Sequence, residues 1–205
     1  SASTSGLSSP RAHDVAVIMF TSGTTALPKP VPLTHAGLLW SCRAKAQAEE
    51  HVLGLRYASA EREHRGTLAF LPTFHVIGFT NNFLYNLTVG ARCLVHADAS
   101  SVPLSSSLML RACAELRPSL LDTVPVLLEQ QLPLSSTAAA TLRDCDAVLY
   151  GGAAMAESSC AAFGAARISL HSQYGQTELG GMIMIGGSGA PYGGMRVVPG
   201  ARAWL

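Results

Sequence analysis

Lysine is scarce in this chain: Lys29 and Lys45 stand against twelve arginines in 205 residues, and beyond Glu178 there is no aspartate, glutamate or lysine at all. Only 13% of residues are charged while 48% are hydrophobic, and the net charge is +1. The arginines are dispersed and form no basic stripe, which argues against a nucleic-acid partner. The five cysteines, Cys42, Cys93, Cys113, Cys145 and Cys160, include no C-x-x-C pair and no metal-like spacing, so they read as buried free thiols of a reducing, cytoplasmic setting. No apolar run reaches the roughly 18 residues of a membrane span, and the opening Ser-Ala-Ser-Thr-Ser-Gly lacks the basic and apolar regions of a signal peptide. G-x-S-x-G, H-E-x-x-H and the Walker spacing G-x-x-x-x-G-K-[ST] are all missing, which removes the hydrolase, zinc-protease and P-loop readings. Glycines are crowded from Gly186 to Gly194, but without the G-x-G-x-x-G frame of a dinucleotide loop; they read as a linker.

What is present is an alternation of short apolar runs and amphipathic segments, the pattern of α/β layers built on a mostly parallel sheet with flanking helices. Strands are expected at 15–20, 67–71, 91–96, 120–124, 147–150 and 168–170. Helices are expected at 34–52, with Thr34 as N-cap, and at 78–87, 104–116, 126–131 and 156–164. The charged stretch 58–65 reads as a solvated connector.

The run Val-Ala-Val-Ile-Met-Phe at 15–20 reads as a buried strand of the parallel sheet. The loop that follows, Thr-Ser-Gly-Thr-Thr-Ala-Leu-Pro-Lys-Pro-Val at 21–31, has the chemistry of a phosphate cradle. Gly23 permits a tight turn and close backbone approach, Thr21, Ser22, Thr24 and Thr25 supply short donors, and Lys29 adds a mobile charge. A Ser/Thr/Gly/Pro surface loop has the same composition.

Three further segments follow in order. Leu-Pro-Thr-Phe-His-Val-Ile-Gly-Phe at 71–79 brings an aromatic and His75 to the start of an apolar helix. Tyr-Gly-Gly-Ala-Ala-Met at 150–155 has side chains small enough for a flat ring to lie on the backbone. Ser-Gln-Tyr-Gly-Gln-Thr-Glu-Leu-Gly-Gly at 172–181 offers an aromatic face, a hydroxyl and a carboxylate within five residues, a set suited to a base, a phosphate and a divalent cation.

Together the four segments resemble the adenylate-forming superfamily of acyl-CoA synthetases, luciferases and the adenylation domains of peptide synthetases and carboxylate reductases. The first resembles [ST]-S-G-[ST]-T-G-x-P-K-G, the second P-x-F-H-x-x-G, the third the G-G-A turn and the fourth Y-G-x-T-E. The resemblance implies a tail at 1–13 and a partial AMP-binding domain at 14–205. It implies that Thr21, Ser22, Gly23, Thr24, Thr25 and Lys29 handle the β- and γ-phosphates of ATP, and that Gly151, Gly152 and Ala153 line the adenine site. Tyr174 would pack on the adenine, Thr177 would meet the α-phosphate and Glu178 would hold Mg²⁺. His75, Gly78 and Phe79 would face the acid, with Asn82 beside them. Lys29, Thr177 and Glu178 are the implied catalytic groups.

The implied reaction is attack of a carboxylate on the α-phosphorus of ATP, giving an acyl-adenylate and pyrophosphate, followed by transfer to the thiol of coenzyme A or a carrier-protein phosphopantetheine. A non-catalytic, nucleotide-binding remnant is the alternative. Phe74 is followed by His75, where amino-acid-activating relatives carry an aspartate for the substrate ammonium; an aryl or fatty acid is therefore favoured. The ribose-binding aspartate, the hinge and the lysine-bearing C-terminal domain of the superfamily have no counterpart here, so the chain is expected to be a fragment with apolar surface uncovered. Ala26 and Pro30 replace signature glycines, and both restrict the backbone where it would meet phosphate.

Overall fold

A computed structural model describes residues 9–21, 27–55, 66–96, 103–187 and 194–201. The apolar run at 15–20 does form a strand, but outside the parallel sheet. β1 (Val15–Thr21) pairs antiparallel with β2 (Lys29–Thr34) as a separate ribbon, with Phe20 opposite Pro30 and Thr21 opposite Lys29. Ile18 and Phe20 are 53% and 62% exposed, and of β1 only Met19 is buried. The expected burial is thus corrected: a continuous apolar run does not reveal which sheet it joins. β2 was hidden by Pro30 and Pro32. Two residues apart, they place both missing N–H groups on the edge facing away from β1, where a strand tolerates them. Pro30 therefore stands in a strand edge; Ser22 to Ala26 lie outside the described residues.

Helix α1 (His35–Leu53) starts where expected, with the Thr34 hydroxyl accepting from the Gly37 amide at 3.1 Å, and stops at Gly54 with φ 66°. The helix expected from residue 78 is a π-helical stretch, Ile77–Leu84, running into α2 (Tyr85–Val89). Gly78 is required by packing: a Cβ there would fall on the carbonyl oxygens of Leu71 and Pro72.

The main sheet holds β3 (Thr67–Leu68), β4 (Cys93–Leu94), β5 (Leu120–Thr123), β6 (Ala147–Tyr150), β7 (Leu170–Gln176), β8 (Gly181–Ile185) and β9 (Arg196–Val197). Its order is β4-β3-β5-β6-β7-β8-β9, parallel from β4 to β7 and antiparallel beyond. The mostly parallel α/β sheet is as expected. The strand expected at 168–170 instead begins at Leu170 and carries the whole Ser-Gln-Tyr-Gly-Gln segment in extended form. Gly175 makes that close pairing feasible, because a Cβ there would strike the Gly181 carbonyl of β8.

Helices α3 (Ser106–Leu116), α4 (Pro125–Glu129), α5 (Ser136–Arg143) and α6 (Glu157–Ala165) complete the described elements. α5 was not anticipated, although Ser135 caps it by accepting from Ala138 N at 3.1 Å and alanines fill it. The sheet is buried on both faces. Leu121, Val148 and Leu170 pack with Met109, Leu128, Leu142 and Phe163 of α3 to α6, whereas Leu120, Leu149 and Met182 pack on Ala44 and Ala48 of α1. Four of the five free cysteines are buried and Cys93 is half-buried. Among the described residues no helix is long and apolar enough to cross a membrane.

Candidate active site

Parallel strands present their C-terminal ends along one edge of the sheet, and the segments that follow β3, β6 and β7 meet there. β6 delivers Gly151 and Gly152; β7 delivers Gln173 to Gln176 and passes directly into a 3-10 turn, Thr177–Leu179. With His75 and Ile77 from the start of the π-helical stretch they surround a cavity of about 200 Å³. His75, Gly151, Gly152, Tyr174, Thr177 and Glu178 therefore share one site. Tyr174 is 44% exposed, its ring available to a partner on the open side. Gly151 is dictated by packing as well as by any ligand: a Cβ there would lie 2.7 Å from Gln173 Cγ.

The ribbon packs against the Thr177–Leu179 turn through both its strands. Thr21 and the exposed Lys29 face each other across the end of that ribbon. Ser22, Gly23, Thr24 and Thr25 lie outside the described residues.

A second cavity, about 380 Å³ and strongly apolar, is walled by Leu71, Leu104, Val124 and Val126, includes Ala153, and shares His75, Ile77, Gly151 and Gly152 with the first. Phe79 lines neither. It faces a groove of about 620 Å³ along the ribbon with the exposed Phe20, Phe74 and Phe83. Gly78 is buried and lines none of the three. Asn82, expected near the acid, instead points into the core and donates to Asp122 Oδ2 at 3.0 Å, while its neighbour Asn81 lines the smaller cavity.

Behind that cavity lies a polar group with no counterpart in the sequence reading. Lys45 of α1, fully buried, pairs with Glu49 one turn on and with Asp122 of β5 at 3.3 Å, and sits 4.6 Å from the centre of the Tyr85 ring. Tyr85 donates to the second oxygen of Glu49. Gln173 Nε2 donates to Asp122 Oδ1 at 3.3 Å, and Asn81 Nδ2 donates to Gln173 Oε1 at 3.3 Å. Burial pushes the Asp122 carboxyl up to about 6, the pull of Lys45 outweighed by that burial together with the Glu49 charge. Burial alone would lower the Lys45 ammonium, but Asp122 and Glu49 hold it above the ordinary lysine value. The sequence signal existed: a lysine four residues before a glutamate on an apolar helix, in a chain with two lysines.

Residues 3–203 match the family described as AMP-binding enzyme. The chain belongs to the AMP-binding family. Similar curated proteins include the adenylate-forming reductase stbB of Stachybotrys bisbyi, 30% identical over 84% of this chain, and a 4-chlorobenzoate–CoA ligase of an Arthrobacter species, 28% identical over 76%. The chain spans 15% and 27% of their lengths. Among solved structures, o-succinylbenzoate CoA synthetase of Bacillus subtilis with its acyl-adenylate intermediate matches 87% of this chain and 33% of its own at TM-score 0.69 and 21% identity. An anthranilate CoA ligase bound to anthranoyl-AMP matches 92% of this chain and 35% of its own at TM-score 0.72, also at 21% identity. These likenesses establish that the AMP-binding chain has the fold of those enzymes.

The donor set can be judged for the divalent ion that such a fold implies. No three His, Cys, Asp or Glu side chains converge as a metal site among the described residues. Glu178 alone, exposed beside the Thr177 hydroxyl, fits Mg²⁺, which is commonly held by one or two carboxylates plus substrate phosphate oxygens.

Proposed function

We propose that this chain carries the nucleotide- and acid-binding part of an enzyme that activates a carboxylic acid with ATP and passes the acyl group to a thiol, of coenzyme A or of a carrier protein. The observation that supports it most is the convergence of three separate motifs on one cavity, with the Thr21 and Lys29 ribbon packed beside the Thr177–Leu179 turn. In this reading Tyr174 offers its ring to the adenine, against a wall of Gly151, Gly152 and Ala153 where larger side chains would intrude. The Thr177 hydroxyl donates to the α-phosphate. Thr21, Lys29 and the intervening Ser22 to Thr25 hold the β- and γ-phosphates and steady the departing pyrophosphate. Glu178 holds Mg²⁺, which when bound neutralises charge on the phosphates. His75, on the wall common to both cavities, orients the acid carboxylate for in-line attack on phosphorus; the new bond is carboxylate oxygen to Pα and the broken one is Pα to the bridging oxygen of pyrophosphate.

Glu178 is the only carboxylate lining the two cavities among the described residues. That leaves a substrate ammonium without a dedicated partner and favours an acid lacking an α-amino group. Carboxylate-dependent exchange of labelled pyrophosphate into ATP tests the reading on the full-length protein. Glu178→Gln is expected to slow exchange by roughly 100-fold or more while leaving the melting temperature unchanged, since the side chain is exposed. Undiminished exchange removes Glu178 from the site. Absent exchange in the wild type, with ATP still bound, returns the protein to the non-catalytic nucleotide-binding alternative.

A further inference from the structure

We propose that the buried cluster of Lys45, Glu49 and Asp122 regulates the charge behind the smaller cavity: Asp122 takes up a proton when an anionic nucleotide enters, so the nucleotide binds more tightly as pH falls. This rests on the nucleotide occupying that cavity, as in the function proposed above.

The charges of this cluster do not cancel. A single ammonium meets two carboxylates, all three groups almost completely buried, so one negative charge remains when both carboxyls are ionised. The two oxygens of Glu49 meet Lys45 and the Tyr85 hydroxyl. Asp122 Oδ2 meets Lys45 at 3.3 Å and Asn82 Nδ2 at 3.0 Å, whereas Oδ1 receives only the Gln173 amide, at 3.3 Å, among the described residues. A proton is therefore added with least loss at Oδ1. Gln173 can turn its amide to accept from the new O–H, since an amide carries a donor and an acceptor side by side. The same Gln173 lines the cavity with Tyr174, Thr177 and Glu178, so one side chain joins the cluster to the ligand's surroundings.

Burial acts most strongly on Asp122, Lys45 opposes it and Glu49 reinforces it, which leaves the carboxyl at about 6, ionised at pH 8 and open to protonation near neutrality. A phosphate charge about 10 Å away, at an effective dielectric of about 20, favours the protonated form by roughly tenfold. Other ionisable neighbours are engaged elsewhere. On α1 the Cys42 thiol, raised by burial, points to the Thr80 carbonyl, and Arg43, Glu50 and His51 face solvent. His171 of β7, lowered by burial, bonds Ser169 and the Gly186 carbonyl, and the Tyr150 hydroxyl of β6 meets Cys160. Strands β3 and β8 and the stretch Ile77–Leu84 bring no titratable side chain.

Calorimetric titration of the full-length protein with Mg-ATP, in buffers of different ionisation heat, counts the protons taken up on binding; pyrophosphate exchange is measured in parallel. Comparison with Asp122→Asn cancels the titration of ATP itself and of His75 on the cavity wall, both unchanged in the variant. At pH 6.5 the wild type should take up about half a proton more than Asp122→Asn, the count that a tenfold preference gives for a carboxyl starting at about 6. Between pH 8 and pH 5 its affinity should gain roughly eightfold over the gain of the variant. At pH 8 Asp122→Asn, already neutral, should bind ATP roughly tenfold tighter than wild type, a gain that a weakened core does not produce. Glu49→Gln removes the charge that helps to hold Asp122 up and should lower the proton count at pH 6.5, which keeps the test decisive where Asp122→Asn does not fold. Equal counts in wild type and variants overturn the linkage and, with exchange intact, leave adenylation standing. A count lost in the variants, without carboxylate-dependent exchange in the wild type, supports the linkage and counts against adenylation. No ATP binding at any pH overturns both.

Discussion

Replacing Lys45 with methionine keeps most of the volume of the side chain and removes its charge, leaving the buried carboxyls of Glu49 and Asp122 without a cation. At 3.3 Å the Lys45–Asp122 attraction amounts to about 5 kcal/mol for an effective dielectric of about 20, and Glu49 adds a second attraction. Protonation of the orphaned Asp122 carboxyl recovers part of that loss, so a net destabilisation of about 3–5 kcal/mol at pH 7 is expected, in line with broken buried ion pairs. The pH dependence carries the diagnosis. A carboxyl raised to about 6 in the folded state binds more protons than in the unfolded chain between about pH 4 and 6, so its contribution to stability is greatest below about 4 and is lost as pH rises through 6. Removing Lys45 raises the Asp122 carboxyl further and extends that loss upward, so the penalty of Lys45→Met should be clearly smaller at pH 5 than at pH 8. Urea unfolding of wild type and variant at those two pH values measures it. A penalty under about 1 kcal/mol, or one equal at both pH values, would refute the idea that the cation is what makes this cluster tolerable.

Gly78→Ala should cost about 2 kcal/mol or more, because the new Cβ would fall on the Pro72 carbonyl and the π-helical stretch could not approach β3 as closely; a thermal melt matching wild type contradicts it. Ala26→Gly should strengthen Mg-ATP binding by several-fold if residue 26 is handicapped by its Cβ in a left-handed turn, a conformation costing roughly 1 kcal/mol or more; unchanged affinity by calorimetry ends that explanation.

The parallel α/β frame was legible because β5 and β6 are short apolar runs bounded by turns and because Thr34 and Gly54 punctuate α1. The placement of β1 was not, since Val15 to Phe20 satisfies the pattern of a buried strand equally well in an exposed ribbon, and β2 was concealed by prolines that a strand edge accepts. His75, Gly151, Gly152, Tyr174, Thr177 and Glu178, which line one cavity, could be grouped beforehand because each belongs to a motif. The hydrogen bonds of Gln173 to Asp122 and of Asn81 to Gln173 join residues 51 and 92 positions apart, which no local pattern displays. Asn82 was placed near the acid because the sequence does not announce the π-helical stretch, in which Asn82 meets Asp122 and Asn81 lines the smaller cavity.

His75, Ile77, Gly151 and Gly152 line both the smaller and the larger cavity. Two reactants seated in those compartments would touch the same residues, and a change in that shared lining is felt by both. Substitutions at His75 or Gly152 will therefore alter the apparent affinities for two different molecules together, and a kinetic defect there cannot be assigned to either reactant until each is titrated alone.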